Sequence, residues 1–220
     1  DTGNVVMNGG TLRLLGDKTE VLGALTLGVG VNQLAKTLVA SAKIDIGAPT
    51  VSSGAVLMVD VGTVLTDLVN DVNNGILGAY AVIGSTAWAV RDGSSREITG
   101  LDTAALVATK GLNSHYLATA SEVVTNPSVS TLSFRDPANP VTMTLTGNFL
   151  INAGGIMMAG ISSDPIIITG APSTPIGQEP RMTSGSNQLF VHQFNRLAPL
   201  VLDVPFEDGL GGPTNLVKNG

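Results

Sequence analysis

The sequence contains no cysteine among its 220 residues. Disulfide bonds and thiolate metal sites are therefore excluded, and the fold must be held together by side-chain packing and backbone hydrogen bonds. Aromatic residues are also few, because Phe, Trp and Tyr make up 4% of the chain. The core must then be filled by Val, Leu, Ile, Ala and Met, which suit a narrow, layered interior better than a bulky globular centre.

Charge is scarce as well, since Lys, Arg, Asp and Glu together make up 13% of the residues, about half the usual share of a soluble domain. The formal net charge is −6, and the eleven Lys and Arg residues are scattered singly. A nucleic-acid partner needs clustered cations opposite its phosphates, so we expect none. No apolar run approaches the roughly 18 residues of a spanning helix, so we expect no membrane-spanning segment in this chain.

Glycine is abundant, with 27 Gly beside 11 Pro, and 43% of residues are hydrophobic, which is enough to bury a core. In residues 1–62, short β-type runs recur and each is closed by a glycine. The runs are Thr11–Leu15, Ala24–Leu27, Lys43–Ile46 and Val56–Val61, closed by Gly16, Gly28, Gly47 and Gly62. Closing glycines 12 to 19 residues apart suit the coils of a solenoid. The pattern predicts an all-β parallel β-solenoid.

Period-two alternation along these runs predicts which side chains enter the core. The inward positions are Leu12, Leu14, Leu25, Leu27, Ile44, Ile46 and Val59, and the outward positions include Arg13, Thr26 and Asp60. One segment allows an alternative. Apolar residues at helical spacing would also fit an amphipathic helix there, namely Val31, Leu34, Ala35, Leu38 and Val39.

Residues 63–128 are less regular. The segment Gly78–Gly93 predicts two strands across a Gly84-Ser85 turn, with the one Trp, Trp88, in the second strand. The following stretch, Ile98–Thr125, is where we expect strands to leave the main stack or a decoration to project.

From Val129 the strand pattern is dense, with Asn-Pro, Asp-Pro and Gly-Gly pairs as breaks. The predicted strands are Ser130–Phe134, Val141–Thr146, Phe149–Asn152, Ile156–Met158, Pro165–Thr169, Gln188–Gln193, Leu200–Val204 and Asn215–Val217. The segment Gly170–Ser186, with three prolines, predicts an exposed loop at about 170–186.

Four segments, in order, resemble the large bacterial surface proteins built from autotransporter-associated β-strand repeats. The segments are Asn8–Leu14, Gly75–Ala81, Leu189–Asn195 and Gly211–Gly220. The resemblance implies a right-handed parallel β-helix within a long exported protein that acts as a surface stalk, adhesin or fibre, in an extracellular or cell-surface location. It supplies no catalytic motif and no cofactor, and nothing in the chain corresponds to a translocator barrel.

The residues that could carry chemistry are few. His115 and His192 lie far apart, and neither has metal-ligand spacing. His192 lies in a predicted strand next to Gln193, so we expect a structural role for it. No Gly-x-Ser-x-Gly elbow is present, and Gly84-Ser85 and Gly93-Ser94 indicate turns. The run Asn70–Asn74 indicates a turn, with calcium binding as an alternative, although it lacks the Asp-x-Asp-x-Asp-Gly spacing of a calcium loop.

An enzyme is the main alternative to a structural protein, because many parallel β-helices cleave polysaccharides with carboxylates on neighbouring coils. Asp45 and Asp60, each two residues before a closing glycine, are the best pair if they stack about 4.8 Å apart. A polysaccharide lyase or hydrolase, or a carbohydrate-binding tailspike-like protein, is therefore the alternative function. No Lys or Arg cluster beside the pair would hold an acidic sugar.

We therefore interpret residues 1–220 as a single β-solenoid slice of a longer repeat protein, structural or adhesive rather than enzymatic. Residues Gly209–Gly220 and Asp1–Gly16 are interpreted as two halves of one repeat junction. Its end coils would leave backbone groups unpaired. We thus expect end-to-end continuation, covalent or between chains, and a surface polysaccharide or cell receptor as a possible partner. Any signal peptide is expected to be removed or to lie outside this chain.

Overall fold

The computed structural model describes residues 3–37, 41–135, 137, 139–171, 179–209 and 212–220. The regular secondary structure of these residues consists of β-strands and one short 3-10 helix at Thr103–Ala105. Turns and loops connect these elements. The strands form parallel coils, so the predicted all-β parallel β-solenoid is confirmed. The coils fall into two compact units, Asp1–Leu101 (unit 1) and Asp102–Gly220 (unit 2).

Unit 1 consists of short strands separated by Gly-containing turns. The strands are β1 (Val5–Met7), β2 (Gly10–Leu14), β3 (Glu20–Val21), β4 (Leu25–Leu27), β5 (Gly30–Lys36), β6 (Ile44–Asp45), β7 (Thr50–Val51), β8 (Ala55–Val59), β9 (Val64–Leu65), β10 (Ala81–Ile83), β11 (Ala87–Arg91) and β12 (Ile98–Gly100).

Each of the first three coils of unit 1 gives one strand to each of three parallel sheets. Sheet 1 is β1-β4-β7, sheet 2 contains β2-β5-β8 and sheet 3 is β3-β6-β9. Aligned residues are 20 to 25 positions apart, as in the pairs Val5 with Leu25 and Gly30 with Ala55. One coil is therefore longer than the spacing of closing glycines indicates, because some coils hold more than one closing glycine.

The predicted inward positions of unit 1 are confirmed. Leu25, Leu27, Ile44, Ile46 and Val59 are buried in one core cluster, and Leu12 and Leu14 pack against it from the first coil. The predicted outward residues are exposed or half-buried, namely Arg13, Thr26 and Asp60.

The helical alternative at residues 31–39 is wrong for the residues that the structure describes. Gly30–Lys36 is strand β5, with five residues in register with β2 and five with β8. A strand between two partners satisfies its backbone groups on both sides, and this outweighs a helical spacing of apolar side chains. Leu38 and Val39 lie outside the described residues.

After the third coil, the sheet 2 stack changes direction. Strand β10 pairs in parallel with β8, but β11 pairs antiparallel with β10, and β12 pairs antiparallel with β11. The turn between β10 and β11 contains Gly84 at φ 50°. The predicted pair of strands around Gly84-Ser85 is thus confirmed, with Trp88 in the second.

Unit 2 contains longer strands. They are β13 (Leu106–Val107), β14 (His115–Leu117), β15 (Glu122–Val124), β16 (Ser128–Arg135), β17 (Val141–Leu145), β18 (Phe149–Ala159), β19 (Ile166–Gly170), β20 (Met182–Ser184), β21 (Gln188–Gln193), β22 (Leu200–Asp203), β23 (Phe206–Glu207) and β24 (Asn215–Asn219).

These strands form two further parallel sheets. Sheet 4 runs β13-β14-β16-β18 and then divides, because the first part of β18 pairs with β20 and the second part with β21. Strand β23 follows β20, and β24 follows β21. Sheet 5 is β15-β17-β19-β22. Gly154, at φ 74°, lies between the two halves of β18. Its backbone conformation lets the strand bend, so that one half pairs with β20 and the other with β21.

Three sequence predictions need correction in this region. The predicted strands at 149–152 and 156–158 are one strand, β18, because Gly154 bends the chain without ending its ladder. Within the predicted loop 170–186, β20 is a strand and Met182 is fully buried. Residues 172–178 lie outside the described residues. Strands leave the parallel stack at β11, before Ile98, and parallel pairing resumes at Leu106.

Each unit has its own core cluster. The core of unit 1 is mostly aliphatic, whereas that of unit 2 also contains the fully buried Phe134 and Phe149 together with three methionines. No helix among the described residues has the length and apolar character to cross a membrane.

Candidate functional site

The two carboxylates considered for catalysis do not stack. Asp45 lies on β6 in sheet 3, in register with Val21 and Leu65. Asp60 follows β8 in sheet 2, and its backbone N–H donates to Leu34 O at 3.1 Å. The fifteen residues between them are fewer than one coil, which here takes 20 to 25 residues. The two side chains therefore belong to different sheets.

Asp45 is instead held by an arginine. The Arg96 guanidinium donates to both Asp45 carboxylate oxygens, at 3.0 and 3.1 Å, and its Nε donates to Asp67 Oδ1 at 2.7 Å. The hydrogen bonds to Asp45, and then those to Asp67, raise the pKa of Arg96 above its ordinary value. A bidentate pair of this kind fixes the carboxylate in position and occupies both of its oxygens.

A groove of about 520 Å³ in unit 1 is lined by charged side chains of both signs. The Lys36 and Lys43 amines donate to the same carbonyl, Gly62 O, at 2.7 and 3.0 Å. Lys43 also forms an ion pair with Glu97 at 2.9 Å. These groups are distant in sequence, so no motif predicted the groove. Its contacts join sheet 2, sheet 3 and the hairpin in one network.

The segment Arg96-Glu97 closes the far edge of sheet 3. Leu65 of β9 forms an antiparallel bridge with Glu97, and Thr66 N–H donates to Arg96 O at 2.9 Å. The turn before it is shaped by Asp92, which accepts the N–H groups of Ser94 and Ser95. The β11–β12 hairpin therefore continues sheet 2 with antiparallel strands and covers the last strand of sheet 3, and parallel stacking in unit 1 stops there.

A different cluster lies at the first coil of unit 2. The Tyr116 hydroxyl donates to Glu122 Oε1 at 2.6 Å, and Lys110 Nζ donates to Glu122 Oε2 at 2.5 Å and lies 4.2 Å from the centre of the Tyr116 ring. The Tyr116 ring belongs to the unit 2 core, so Lys110 covers its outer face. These contacts close the start of the unit 2 core.

The cluster shifts two pKa values upward. Burial raises the pKa of Tyr116, and the hydrogen bond to Glu122 adds to the effect. For Lys110, burial acts to lower the pKa, but the hydrogen bonds to Glu122 and Tyr116 outweigh it and the net shift is upward. Both shifts keep protons on the cluster, so its hydrogen bonds persist to alkaline pH.

The two histidines both lie on sheet 4 and are buried. The Thr131 hydroxyl is 2.9 Å from His115 Nδ1, and the Asn219 amide donates to His192 Nδ1 at 3.2 Å. The His192 ring is stacked between Phe190 and Phe194, with ring centres 6.3 and 5.7 Å away. Within the ranges that the structure describes, no three His, Asp or Glu side chains converge as a metal-binding group.

The Asn70–Asn74 run forms a turn, as predicted. Asp71 Oδ1 accepts the N–H groups of Asn73 and Asn74 at 2.7 and 3.2 Å. Asn70 anchors the turn to β11, because its side chain accepts from Arg91 N and donates to Arg91 O. These oxygens hold the backbone of the turn.

The last coil of unit 2 is the most open feature. Phe206 and Leu216 are 40% and 58% exposed, although they are in register with the buried core residues Met182 and Leu189. A depression of about 470 Å³ lies over this coil, lined mainly by Leu200, Leu202, Phe206, Leu216 and Lys218. Side chains at inward positions are exposed here because, among the described residues, no further strand pairs with β22, β23 or β24.

The first coil of unit 1 is the counterpart. Strands β1, β2 and β3 are each the outermost strand of their sheet in the described part of the chain. Their inward residues Val5, Leu12 and Leu14 pack against the core on one side only. Among the described residues, β1–β3 in unit 1 and β22–β24 in unit 2 therefore each form an open coil edge.

These features define the chain as a parallel β-solenoid protein. No protein-family model, no curated protein and no solved structure matches it.

Proposed function

We propose that this chain is a non-enzymatic structural or adhesive element of an exported bacterial surface protein, in which β-solenoid coils continue from end to end. The observation that carries the proposal is the pair of open coil edges, β1–β3 and β22–β24. An uncovered edge of a parallel stack offers unpaired N–H and C=O groups to another strand. The resemblance to autotransporter-associated repeat proteins supports the same function and the cell-surface location.

The chemistry of the polar groups gives the enzyme alternative no comparable support. The Asp45 carboxylate is bound by Arg96 through two hydrogen bonds, and Asp60 lies on a different sheet. Glycoside cleavage with two carboxyl groups needs one protonated acid and one free carboxylate facing the same substrate. The polar side chains of the solenoid surface instead brace the coils against one another.

Electron microscopy and light scattering of the purified chain test the proposal. We expect concentration-dependent end-to-end assemblies, because each open edge can pair with another copy. Leu216→Lys should suppress them, since it places a second charge among the inward residues of the open coil. Val72→Lys is the matched control, because Val72 is 94% exposed and belongs to the Asn70–Asn74 turn rather than to β1–β3 or β22–β24.

Two results would contradict the proposal. One is a chain that stays monomeric at all concentrations and binds no surface polysaccharide or cell. The other is cleavage of polysaccharides with release of new chain ends, lost in Asp45→Asn. The second result would establish the enzyme alternative.

A further inference from the structure

One inward position of the open edge of unit 1 carries a negative charge. Glu20 is in register with Ile44, and Ile44 with Val64, and both of those side chains are buried in the core. The same row of sheet 3 therefore ends in a carboxylate. Glu20 is exposed only because no further coil lies over β3 in the described chain.

The open edge of unit 2 carries a positive charge, also at an inward position. Lys218 is in register with Val191, which continues through Ile156 to Leu132 along sheet 4. These three residues are in the unit 2 core. Lys218 is exposed, lines the depression over the last coil, and donates to Gly220 O at 2.7 Å.

A charge at an inward position is tolerated at an open edge but not beneath another coil. Once covered, an unpaired carboxylate or ammonium loses its hydration, which is unfavourable unless an opposite charge compensates. Two unit 1 edges placed together would enclose two Glu20 carboxylates, and two unit 2 edges would enclose two Lys218 ammonium groups. Only a unit 1 edge against a unit 2 edge brings opposite charges together.

We propose that the occupant of the open edge of unit 2 is the open edge of unit 1 from a second copy of this chain, and that Glu20 and Lys218 select this polarity. The inference rests on the proposed function, because it assumes that edges associate, and adds the rule by which they do so. In chain order, β22, β23 and β24 of the last coil would be followed by β1, β2 and β3 of the second copy, which places β3 with Glu20 over β24 with Lys218. The apolar depression around Leu216 and Phe206 would receive the inward residues of β1 and β2.

Charge exchange in the full chain tests the rule. Glu20→Lys leaves lysines at both edges, and Lys218→Glu leaves carboxylates at both. Each variant alone should associate at least about tenfold more weakly than the unchanged chain in sedimentation velocity, because every possible contact then buries like charges. An equimolar mixture of the two variants should recover association, since each edge finds an opposite charge on the other variant. The double variant Glu20→Lys/Lys218→Glu should recover it too.

Two controls separate the rule from simpler effects. Asp17→Lys makes the same change in net charge in the exposed turn before β3, and should leave association unchanged. Circular dichroism and thermal unfolding check that each variant remains folded. Glu20→Leu alone should also weaken association, because it leaves Lys218 without a partner.

The outcomes distinguish the rule from the proposed function. If the unchanged chain does not associate, end-to-end assembly itself is refuted. If it associates but Glu20→Lys and Lys218→Glu associate equally well, or their mixture recovers nothing, only the charge rule is overturned. Stronger association of Glu20→Leu would also overturn it, since inward charges would then serve to block the edges.

Discussion

Units 1 and 2 use the same kind of parallel coil but fill it differently. Unit 1 has strands of two to seven residues, and no Phe or Trp belongs to its core cluster. Unit 2 has strands of up to eleven residues and packs Phe134 and Phe149 in its core. Longer sides enclose a wider interior, and a wider interior needs bulkier side chains to reach native packing density. All five Phe residues lie in unit 2, whereas Trp88 and Tyr80 lie in unit 1.

The units also differ in which end is closed. Parallel stacking in unit 1 stops after its last coil at the β10–β12 hairpin and Arg96, whereas in unit 2 Lys110, Tyr116 and Glu122 pack together at the first coil. Both groups of contacts lie in the irregular middle of the sequence. We therefore expect further coils to associate at β1–β3 and β22–β24.

The largest expected effect comes from emptying the wider core. Phe134→Ala should destabilise the protein by about 3–5 kcal/mol, because the cavity replaces a fully buried ring. Hydrogen exchange should rise first in β16 and β18 of unit 2. Leu34→Ala is the counterpart in unit 1 and should raise exchange in β2, β5 and β8. The comparison between independent cores fails if each variant loosens both units equally. Val123→Ala, at an exposed site, should change little.

Alanine substitutions at two glycines with almost the same φ distinguish the cost of backbone strain from the cost of steric crowding. Gly154 in unit 2 and Gly75 in unit 1 have φ values of 74° and 75°. A Cβ on Gly154 would overlap the Gln188 carbonyl oxygen, whereas one on Gly75 would meet nothing within 4 Å. Gly75→Ala should therefore cost about 1–2 kcal/mol from backbone strain alone. Gly154→Ala should cost about 1–3 kcal/mol more, measured by urea unfolding. If both substitutions lower the free energy of unfolding equally, β18 must move at its bend to accommodate the added methyl group without further cost.

Alkaline pH should affect unit 2 more than unit 1. In unit 2, the pKa of Tyr116 is raised above the ordinary 10.0 of tyrosine, and that of Lys110 above the ordinary 10.5 of lysine. In unit 1, burial raises the pKa of Tyr80. The folded protein keeps protons that the unfolded chain releases. The resulting stabilisation is complete below the ordinary values and is lost as the pH rises through the folded-state pKa.

The two tyrosines allow each unit to be followed alone. In Tyr80→Phe the tyrosinate absorbance reports only Tyr116, and in Tyr116→Phe it reports only Tyr80. Both should titrate above the pH at which tyrosine ionises in the unfolded chain. The loss of stability above about pH 10 should be smaller in Tyr116→Phe than in Tyr80→Phe. The reverse order would show that the Lys110 cluster does not secure the start of unit 2.

The smallest expected effect concerns the closure of unit 1. Arg96→Asn removes the ion pairs with Asp45 and Asp67 but keeps a residue that tolerates φ 63°. We expect faster amide exchange at Thr66 and Ile44 than in the unchanged chain. The difference in exchange rate should be smaller at high salt, because salt screens partly exposed ion pairs. Arg13→Asn, at an exposed outward position, is the control. If amide exchange is unchanged in Arg96→Asn, the ion pairs contribute nothing to the closure, and the backbone bridge between Leu65 and Glu97 is sufficient for it.

Much of the fold followed from local pattern. The alternation in Leu25-Thr26-Leu27 and Ile44-Asp45-Ile46 predicted the inward side chains, because a strand places successive residues on opposite faces whatever its partners are. The Gly84-Ser85 turn was likewise predicted, because a turn is a local structure. The β5 segment had two local solutions, helix and strand, and only its pairing with β2 and β8 decided between them.

The candidate site depended on register, which local pattern does not contain. Asp45 and Asp60 looked equivalent by their position before a glycine, yet one coil is longer than the interval between them. Arg96 reaches Asp45 across 51 residues, and no spacing in the sequence predicts that contact. The strand at Met182–Ser184 was missed because nearby prolines and glycines indicated a loop, whereas pairing with β18 and β23 made it a strand.

Composition and period-two alternation were enough to predict a cysteine-free, all-β solenoid with a largely aliphatic interior, since both act residue by residue. The tertiary structure alone decided where the coils are closed, where they stay open, and that Glu20 and Lys218 occupy inward positions at the two open edges. These features depend on which residues align between coils. That alignment is set by coil length, and coil length is the sum of every turn and strand in the circuit.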